Sequence, residues 1–354
     1  MERVKVRTRD RYEVLIGRNI TDEAVKMLLP KGKHIVLIWD EEIPSMYVAE
    51  LGNALEEAGK EVMACAVHGG EDAKSIESFQ NICGLLSDFS MSRSDTIVGI
   101  GGGTVTDLAG FIASTYKRGL DLCEIPTTLI AAADAAIGGK NALNLGSRKN
   151  IIGTFYQPSL VVVDTKYLDT LPDETFAEGC SEVIKYGFVG DQELVSMLED
   201  RPLTEGRSDS PYLEDILKRC IRLKADIVVE DEKDNGIRNL LNFGHTLGHA
   251  IETQSSYKIH HGEAVAMGMA LITRASENKG LSERGTYTRL INLLEKHHLE
   301  WRCPYNLSVL LSHVAEDKKI RDGYINLVVP LRPGACTLKG MTDEELRAFL
   351  DVRK

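Results

Sequence analysis

Two imidazoles lie four residues apart in Asn242-Phe243-Gly244-His245-Thr246-Leu247-Gly248-His249. On a helix that spacing puts both rings on one face, near one another. A second pair follows in His260-His261-Gly262-Glu263, and upstream Ser181-Glu182-Val183-Ile184-Lys185 sets a carboxylate among apolar neighbours. One carboxylate with two imidazoles is a usual catalytic zinc set, leaving a coordination position open for substrate or water. The metalloprotease form His-Glu-x-x-His is missing. The remaining five of the nine histidines show no such grouping.

Other chemistry is written earlier. Ile97–Ile100 runs into Gly101-Gly102-Gly103-Thr104-Val105-Thr106-Asp107. This reads as a strand, a tight turn and a helix start. Glycines there let the backbone approach a pyrophosphate, and the free N–H groups of the helix start bind an anion. The spacing is not Gly-x-Gly-x-x-Gly, so the ordinary dinucleotide fingerprint is absent. Basic residues accompany both motifs: Lys140 after Gly138-Gly139, Lys149 before Asn150, Lys185 three residues after Glu182, then Lys224, Arg238 and Lys318-Lys319. Singly, each is an ordinary solvated charge. Together they suit a phosphorylated or carboxylated substrate.

Two kinds of framework must position these groups. Residues 3–8 alternate as a half-buried strand. His34–Trp39, Glu61–Val67 and Asp95–Ile100 read as strands, the first covered on both faces, and helices are expected at 44–58 and 75–87. Repeated strand–helix units predict a parallel, Rossmann-like sheet. After about residue 170 amphipathic stretches dominate, at 174–189, 211–229, 239–254, 262–279 and 285–298, with one strand pair at Tyr324–Val329 and Cys336–Leu338. The expected fold class is α/β, with a cofactor-binding domain at 1–172 and a mainly helical domain at 173–354. Residues 202–211 read as an exposed loop.

The chain has 354 residues, 43% hydrophobic and 27% charged, enough for two domains with real cores. A net charge of -11 argues against nucleic-acid and anionic-membrane surfaces. The seven cysteines are scattered and never form Cys-x-x-Cys, so reduced thiols are expected. With no signal peptide and no spanning apolar run, the expected compartment is the cytoplasm.

Read together, the motifs resemble the 3-dehydroquinate synthase family. The resemblance is carried by Gly101–Gly110, Tyr116-Lys117-Arg118-Gly119, Ile125-Pro126-Thr127-Thr128-Leu129, Gly138-Gly139-Lys140 and Lys149–Pro158. Leu168–Pro172, Glu182–Gly187, Asn242–His249 and His261-Gly262-Glu263-Ala264-Val265 continue it, in order, over residues 35–330. It implies a carbon–oxygen lyase of aromatic amino-acid biosynthesis. That enzyme turns 3-deoxy-D-arabino-heptulosonate 7-phosphate into 3-dehydroquinate and phosphate. It also implies NAD and a divalent metal, Zn2+ first and Co2+ as the alternative. Glu182, His245 and His261 would hold the metal. Gly102, Gly103, Thr104 and Asp107 would hold the NAD pyrophosphate. Asp40, Glu71, Lys74, Thr127, Thr128, Lys140, Lys149, Leu168 and Thr170 would complete the cofactor pocket. Asp134, Lys140, Lys149, Asn150, Lys185, Lys224, Arg238, Asn242, His249 and one of Lys318 or Lys319 would line the substrate site. Arg118 would reach the substrate phosphate of a neighbouring subunit, which implies a homodimer.

The chain departs from the family pattern in places. Ala135 and Ala136 stand where serines are usual, Thr106 replaces a common glycine and Asn141 a small residue, and Asp40 lies in a poor copy of the usual turn. Two rivals remain at this point. One is another sugar-phosphate cyclase, making 2-deoxy-scyllo-inosose or a valiolone; Asn242 speaks against the first. The other is an NAD-dependent polyol dehydrogenase, against which Lys140, Lys149-Asn150 and the histidine helix speak.

Overall fold

The computed structural model describes residues 1–146, 148–207, 209–318 and 324–351. The chain forms two compact units, one of 1–172 with 208–229 and one of 173–207 with 230–354.

The first unit opens with β1 (Glu2–Val6), β2 (Tyr12–Gly17), α1 (Thr21–Leu28), β3 (His34–Asp40), α2 (Ser45–Glu57) and β4 (Glu61–Val67). It continues with α3 (Ile76–Asp88), β5 (Thr96–Gly101), α4 (Gly103–Thr115), β6 (Asp121–Pro126), the hairpin β7 (Lys140–Leu145) and β8 (Arg148–Phe155), and β9 (Leu160–Asp164). Seven strands form one sheet in the order β1-β2-β9-β6-β5-β3-β4, parallel except for β1 against β2. Both faces are covered, so strand residues alternate between two apolar layers. Ile35 and Leu37 pack with Leu51 and Leu55 of α2, while Val36 and Ile38 pack with Leu108 and Ile112 of α4. This is why β3 and β5 read as continuous apolar runs.

The chain leaves β3 outward to β4 and returns through β5 toward β6, so the strand order reverses between β3 and β5. In open parallel sheets the crevice for a ligand opens at the carboxyl ends of such strands. The glycine turn closes β5 and Asp40 ends β3, on the two sides of that point.

The second unit begins with α5 (Asp173–Gly190) and α6 (Gln192–Asp200). The next helix, α7 (Ser210–Glu230), belongs to the first unit, where Lys218 pairs with Glu2 at 2.7 Å. The span 173–354 is therefore interrupted by a helix of the other unit. The second unit resumes with α8 (His245–Gln254), α9 (His261–Asn278), α10 (Thr286–Lys296), α11 (Leu307–Lys318), the antiparallel pair β10 (Ile325–Arg332) and β11 (Ala335–Met341), and α12 (Asp343–Leu350).

Two expectations need correction. The stretch 239–254 is not one helix: a 3-10 turn, Ile237–Asn242, ends before α8 because Gly244 takes a φ of 86°. Residues 202–211 are not wholly exposed. Leu203 is fully buried, and its N–H donates to His297 Nε2 at 3.0 Å. No helix among the described residues is long and apolar enough to cross a membrane.

Candidate active site

Glu182 sits on the buried middle of α5, His245 begins α8 and His261 begins α9. Glycines bring the three helices together. A side chain at Gly262 would stand 2.4 Å from Glu178 O, so the start of α9 touches the α5 backbone. A side chain at Gly268 would stand 2.0 Å from Gly244 O, and one at Gly244 would stand 2.7 Å from Val265 O. Helices α8 and α9 thus meet backbone to backbone, with the left-handed Gly244 turning the chain into α8.

The result is a convergent donor set. Glu182 Oε1 lies 3.6 Å from His245 Nε2 and 3.3 Å from His261 Nε2, and the donor atoms of the three residues lie within 4.8 Å of one another. His245 Nδ1 donates to Phe243 O at 3.2 Å, which fixes the tautomer and leaves the Nε2 lone pair facing Glu182. Burial pushes the His245 imidazole down to about 3, so it is neutral, as a metal ligand must be. Burial also opposes charge on His261, but its hydrogen bonds to Glu182 and Glu252 outweigh that and raise it to about 10. His261 Nδ1 lies 3.3 Å from Glu252 Oε2. A carboxylate behind a ligating imidazole is the usual second support of a metal site. Two imidazoles converging on a buried carboxylate, with a supporting carboxylate behind one of them, fit a divalent cation, which would displace the proton that His261 otherwise carries. A neighbouring set, His249, Glu252 and His261, shares one residue with it.

Two basic side chains of this unit lie on α5 and on the 3-10 turn before α8. Lys185 forms an ion pair with Glu182 one helical turn away, both almost fully buried. Arg238, 2% exposed, is held by its Nη1 donating to Glu232 O at 2.8 Å and its N–H donating to Asp231 Oδ2 at 3.1 Å. Asn242 ends the 3-10 turn before the histidine helix, half-buried.

In the first unit, α4 starts at the glycine turn with Gly102 at its N-cap and no side chain capping it. The first N–H groups of α4 thus have no intrahelical acceptor and suit an anion. A side chain at Gly102 would come within 3.1 Å of Thr128 Cγ2, and one at Gly103 within 3.2 Å of Ala135 Cβ. Thr127 N donates to Gly101 O at 2.9 Å, tying the end of β6 to the turn. Beside it lies a polar network. Lys74 Nζ donates to Asp107 Oδ2 and to Asn150 Oδ1, each at 2.5 Å; Lys149 Nζ lies 3.2 Å from Glu71 Oε1; Asn144 donates to Glu71 Oε2 at 2.7 Å. Burial would raise the Glu71 carboxyl, yet the Asn144 hydrogen bond and the charges of Lys74 and Lys149 hold it below its usual value. Lys224 of α7 pairs with the Asp134 carboxylate and donates to Asp134 O at 2.6 Å. Lys140 is exposed at the start of β7.

Two family models match the chain: "3-dehydroquinate synthase N-terminal" over residues 64–178 and "3-dehydroquinate synthase C-terminal" over residues 179–320. The chain is 40% identical over 321 residues to the 3-dehydroquinate synthase of Enterococcus faecalis, covering 90% of this chain and 89% of that one. It is 39% identical over 352 residues to that of Clostridium acetobutylicum, covering 96% of each.

The chain belongs to the 3-dehydroquinate synthase family.

Solved structures agree on the fold. A 2-epi-5-epi-valiolone synthase from Streptomyces hygroscopicus with NAD+ and Zn2+ bound superposes with a TM-score of 0.88 at 27% identity, covering 96% of this chain and 95% of that one. An iron-containing alcohol dehydrogenase gives 0.68 at 15% identity, covering 96% of each, a likeness of fold alone.

Within this family frame, the other expected residues fall as follows. Asp40 is partly buried at the end of β3; burial raises its carboxyl, and Gly69 packs on it so closely that a side chain there would lie 2.6 Å from both oxygens. Leu168 is buried, and Thr170 is exposed on the turn after β9. Thr104 lies in the first turn of α4. Arg118 is exposed, with a φ of 68°, between Lys117 and Gly119, which also have positive φ. His249 lies one turn along α8 from His245, ring centroids 5.5 Å apart. Lys319 and the side chain of Lys318 lie outside the described residues.

Sequence reasoning missed Glu252, although it sits seven residues after His245 and three after His249, at helical spacing. It also read Asn141 only as a departure. Asn141 Nδ2 donates to Gly139 O at 3.1 Å and Tyr156 O at 3.0 Å, and α4 meets it at Gly110, where a side chain would not fit. Thr106 Oγ1 donates to Gly103 O at 3.1 Å, inside the glycine turn.

Proposed function

We propose that the chain is a phosphate-eliminating cyclase that converts 3-deoxy-D-arabino-heptulosonate 7-phosphate to 3-dehydroquinate and phosphate. The reaction serves the shikimate route to aromatic amino acids, in the cytoplasm. The observation that carries this is the 39% identity to a curated 3-dehydroquinate synthase over 96% of both chains. A convergent Glu182–His245–His261 set supports it.

Loss of the phosphate needs an acidic proton beside the leaving group, and oxidation of the C5 hydroxyl to a ketone creates that acidity. When bound, NAD supplies a hydride acceptor that is refilled in the same turnover. When bound at Glu182, His245 and His261, a divalent metal, zinc in the first place, supplies Lewis acidity to the C5 oxygen.

The remaining work falls to the chain's own groups. The N–H groups of Gly102, Gly103 and Thr104 cradle the pyrophosphate, and the Lys74–Asp107 pair sets the turn beside them. Lys140 and Arg238 contact the substrate phosphate and carboxylate, with Lys149, Asn150, Lys185 and Asn242 lining the rest. The buried anchorage of Arg238 pre-orders its guanidinium, which is how a bidentate anion contact gains over a mobile lysine. Lys224 holds Asp134. His249 carries protons in the hydrogen-bond network rather than binding the metal. Arg118 reaches the phosphate bound by a second copy, making the working unit a homodimer. A valiolone-forming reading rests on 27% identity and is the weaker for it.

The test is to incubate the metal-loaded protein with catalytic NAD and 3-deoxy-D-arabino-heptulosonate 7-phosphate. The expected products are phosphate and 3-dehydroquinate in equal amounts, abolished in His245→Ala. Turnover of glucose 6-phosphate or sedoheptulose 7-phosphate instead would assign a different cyclase.

A further inference from the structure

His261 presents its two ring nitrogens to two different carboxylates. Its Nε2 lies 3.3 Å from Glu182 Oε1, and its Nδ1 lies 3.3 Å from Glu252 Oε2. The first nitrogen belongs to the donor set of Glu182 and His245. The second faces residues that the chemistry above does not use as ligands. His249 and Glu252 stand three residues apart on α8, beyond His245, so their side chains share one helix face. The donor atoms of His249, Glu252 and His261 lie within 4.8 Å of one another. The His249 and His261 rings are 6.2 Å apart between centroids and inclined by 30°.

A carboxylate that only orients a charged imidazole closes on it at ~2.7–2.9 Å. The 3.3 Å between His261 Nδ1 and Glu252 Oε2 is longer than that. It is near the ~3.4 Å that separates two ligands on a tetrahedral ion with bonds of ~2.1 Å. Glu252 is buried, 5% exposed, whereas His249 is exposed and leaves the set an entry from solvent.

We propose that His249, Glu252 and Nδ1 of His261 form a second, weaker site for a divalent cation, with the His261 ring bridging it to the first. The inference rests on the reading that Glu182, His245 and His261 Nε2 hold the first ion. Two imidazoles and one carboxylate, with no thiolate, select zinc, cobalt or copper over magnesium and calcium, which prefer oxygen shells. A bridging ring sets the two ions about 6 Å apart. Their repulsion makes the second site the weaker, and Glu182 on one side with Glu252 on the other offsets part of it. The second ion displaces the proton on Nδ1, which goes to solvent. It also takes the lone pair of His249, the imidazole assigned to proton traffic. Excess metal therefore slows the turnover that the first equivalent supports.

The experiment is equilibrium dialysis of the metal-free full chain against rising Co2+, read by bound metal and visible absorption, for wild type, His249→Ala and His245→Ala. Wild type should take up a tight and a weak equivalent. His249→Ala should keep the tight one and lose the weak one, and His245→Ala should do the reverse. Anomalous diffraction from wild-type crystals at stoichiometric and at excess zinc needs no variant, and should show a second peak between His249 and Glu252 only at excess. A single equivalent at every concentration, with no second peak, overturns the site. A weak equivalent that survives His249→Ala, with its peak elsewhere, overturns it as well. Turnover that excess zinc leaves unchanged while the second peak is present overturns the capture of His249. Two bound ions at these positions in a protein that releases no phosphate from 3-deoxy-D-arabino-heptulosonate 7-phosphate would uphold the site and overturn the proposed reaction instead.

Discussion

Glu252 does its work through His261. Its carboxylate fixes which ring nitrogen faces Glu182, so Glu252→Gln should leave the fold intact and weaken metal binding about 10–100-fold. Competition against a chelator of known affinity measures this directly, without substrate. Glu124 makes a different statement. It is buried on β6, its Oε2 has no hydrogen-bond partner among the described residues, and burial, with Asp107 nearby, holds its carboxyl well above the usual range. A raised acid gives stability that is whole below the unfolded value, about 4.3, and is lost as pH rises toward the folded one. Glu124→Gln should therefore match wild type near pH 4 and exceed it at neutral pH, by on the order of 1 kcal/mol. Chemical denaturation at the two pH values decides it; a wild type that gains stability through that window relative to the variant refutes the assignment.

At the scale of elements, the site depends on backbones that touch. Gly244→Ala would force a left-handed turn on an L side chain and press it against Met269 and Val265. A loss of about 3 kcal/mol, with weakened metal binding, is expected from thermal melts and metal titration. The turn into β5 has its own anchor, which also holds the start of β3. Burial would raise Asp95, but hydrogen bonds from Ser92 and His34 hold it at about 2. A depressed acid stabilises above its unfolded value and loses that contribution as pH falls through the folded one. Asp95→Asn should thus cost about 2 kcal/mol at pH 7 and progressively less between pH 4 and 2.

These elements show what a sequence discloses. The β3, β4 and β5 runs and the α5, α7, α9 and α10 stretches were legible because their periodicity is local. The break before α8 was not, since a histidine-rich amphipathic run looks continuous until Gly244 takes a positive φ. Residues 202–211 have the composition of a turn, which says nothing about Leu203 being covered. The contact of Lys74 with Asn150, 76 residues away, is written in no local pattern.

For the molecule as a whole, two motifs far apart in sequence imply one reaction cycle, in which a cofactor is reduced and then restored. The central claim is that redox chemistry is transient. The direct measurement is a single turnover followed at the absorbance of reduced nicotinamide, with metal-loaded protein in excess over substrate and phosphate assayed in parallel. The account predicts absorbance that rises and decays to baseline while one phosphate per substrate is released. Absorbance that accumulates without phosphate release would contradict it and point to a dehydrogenase.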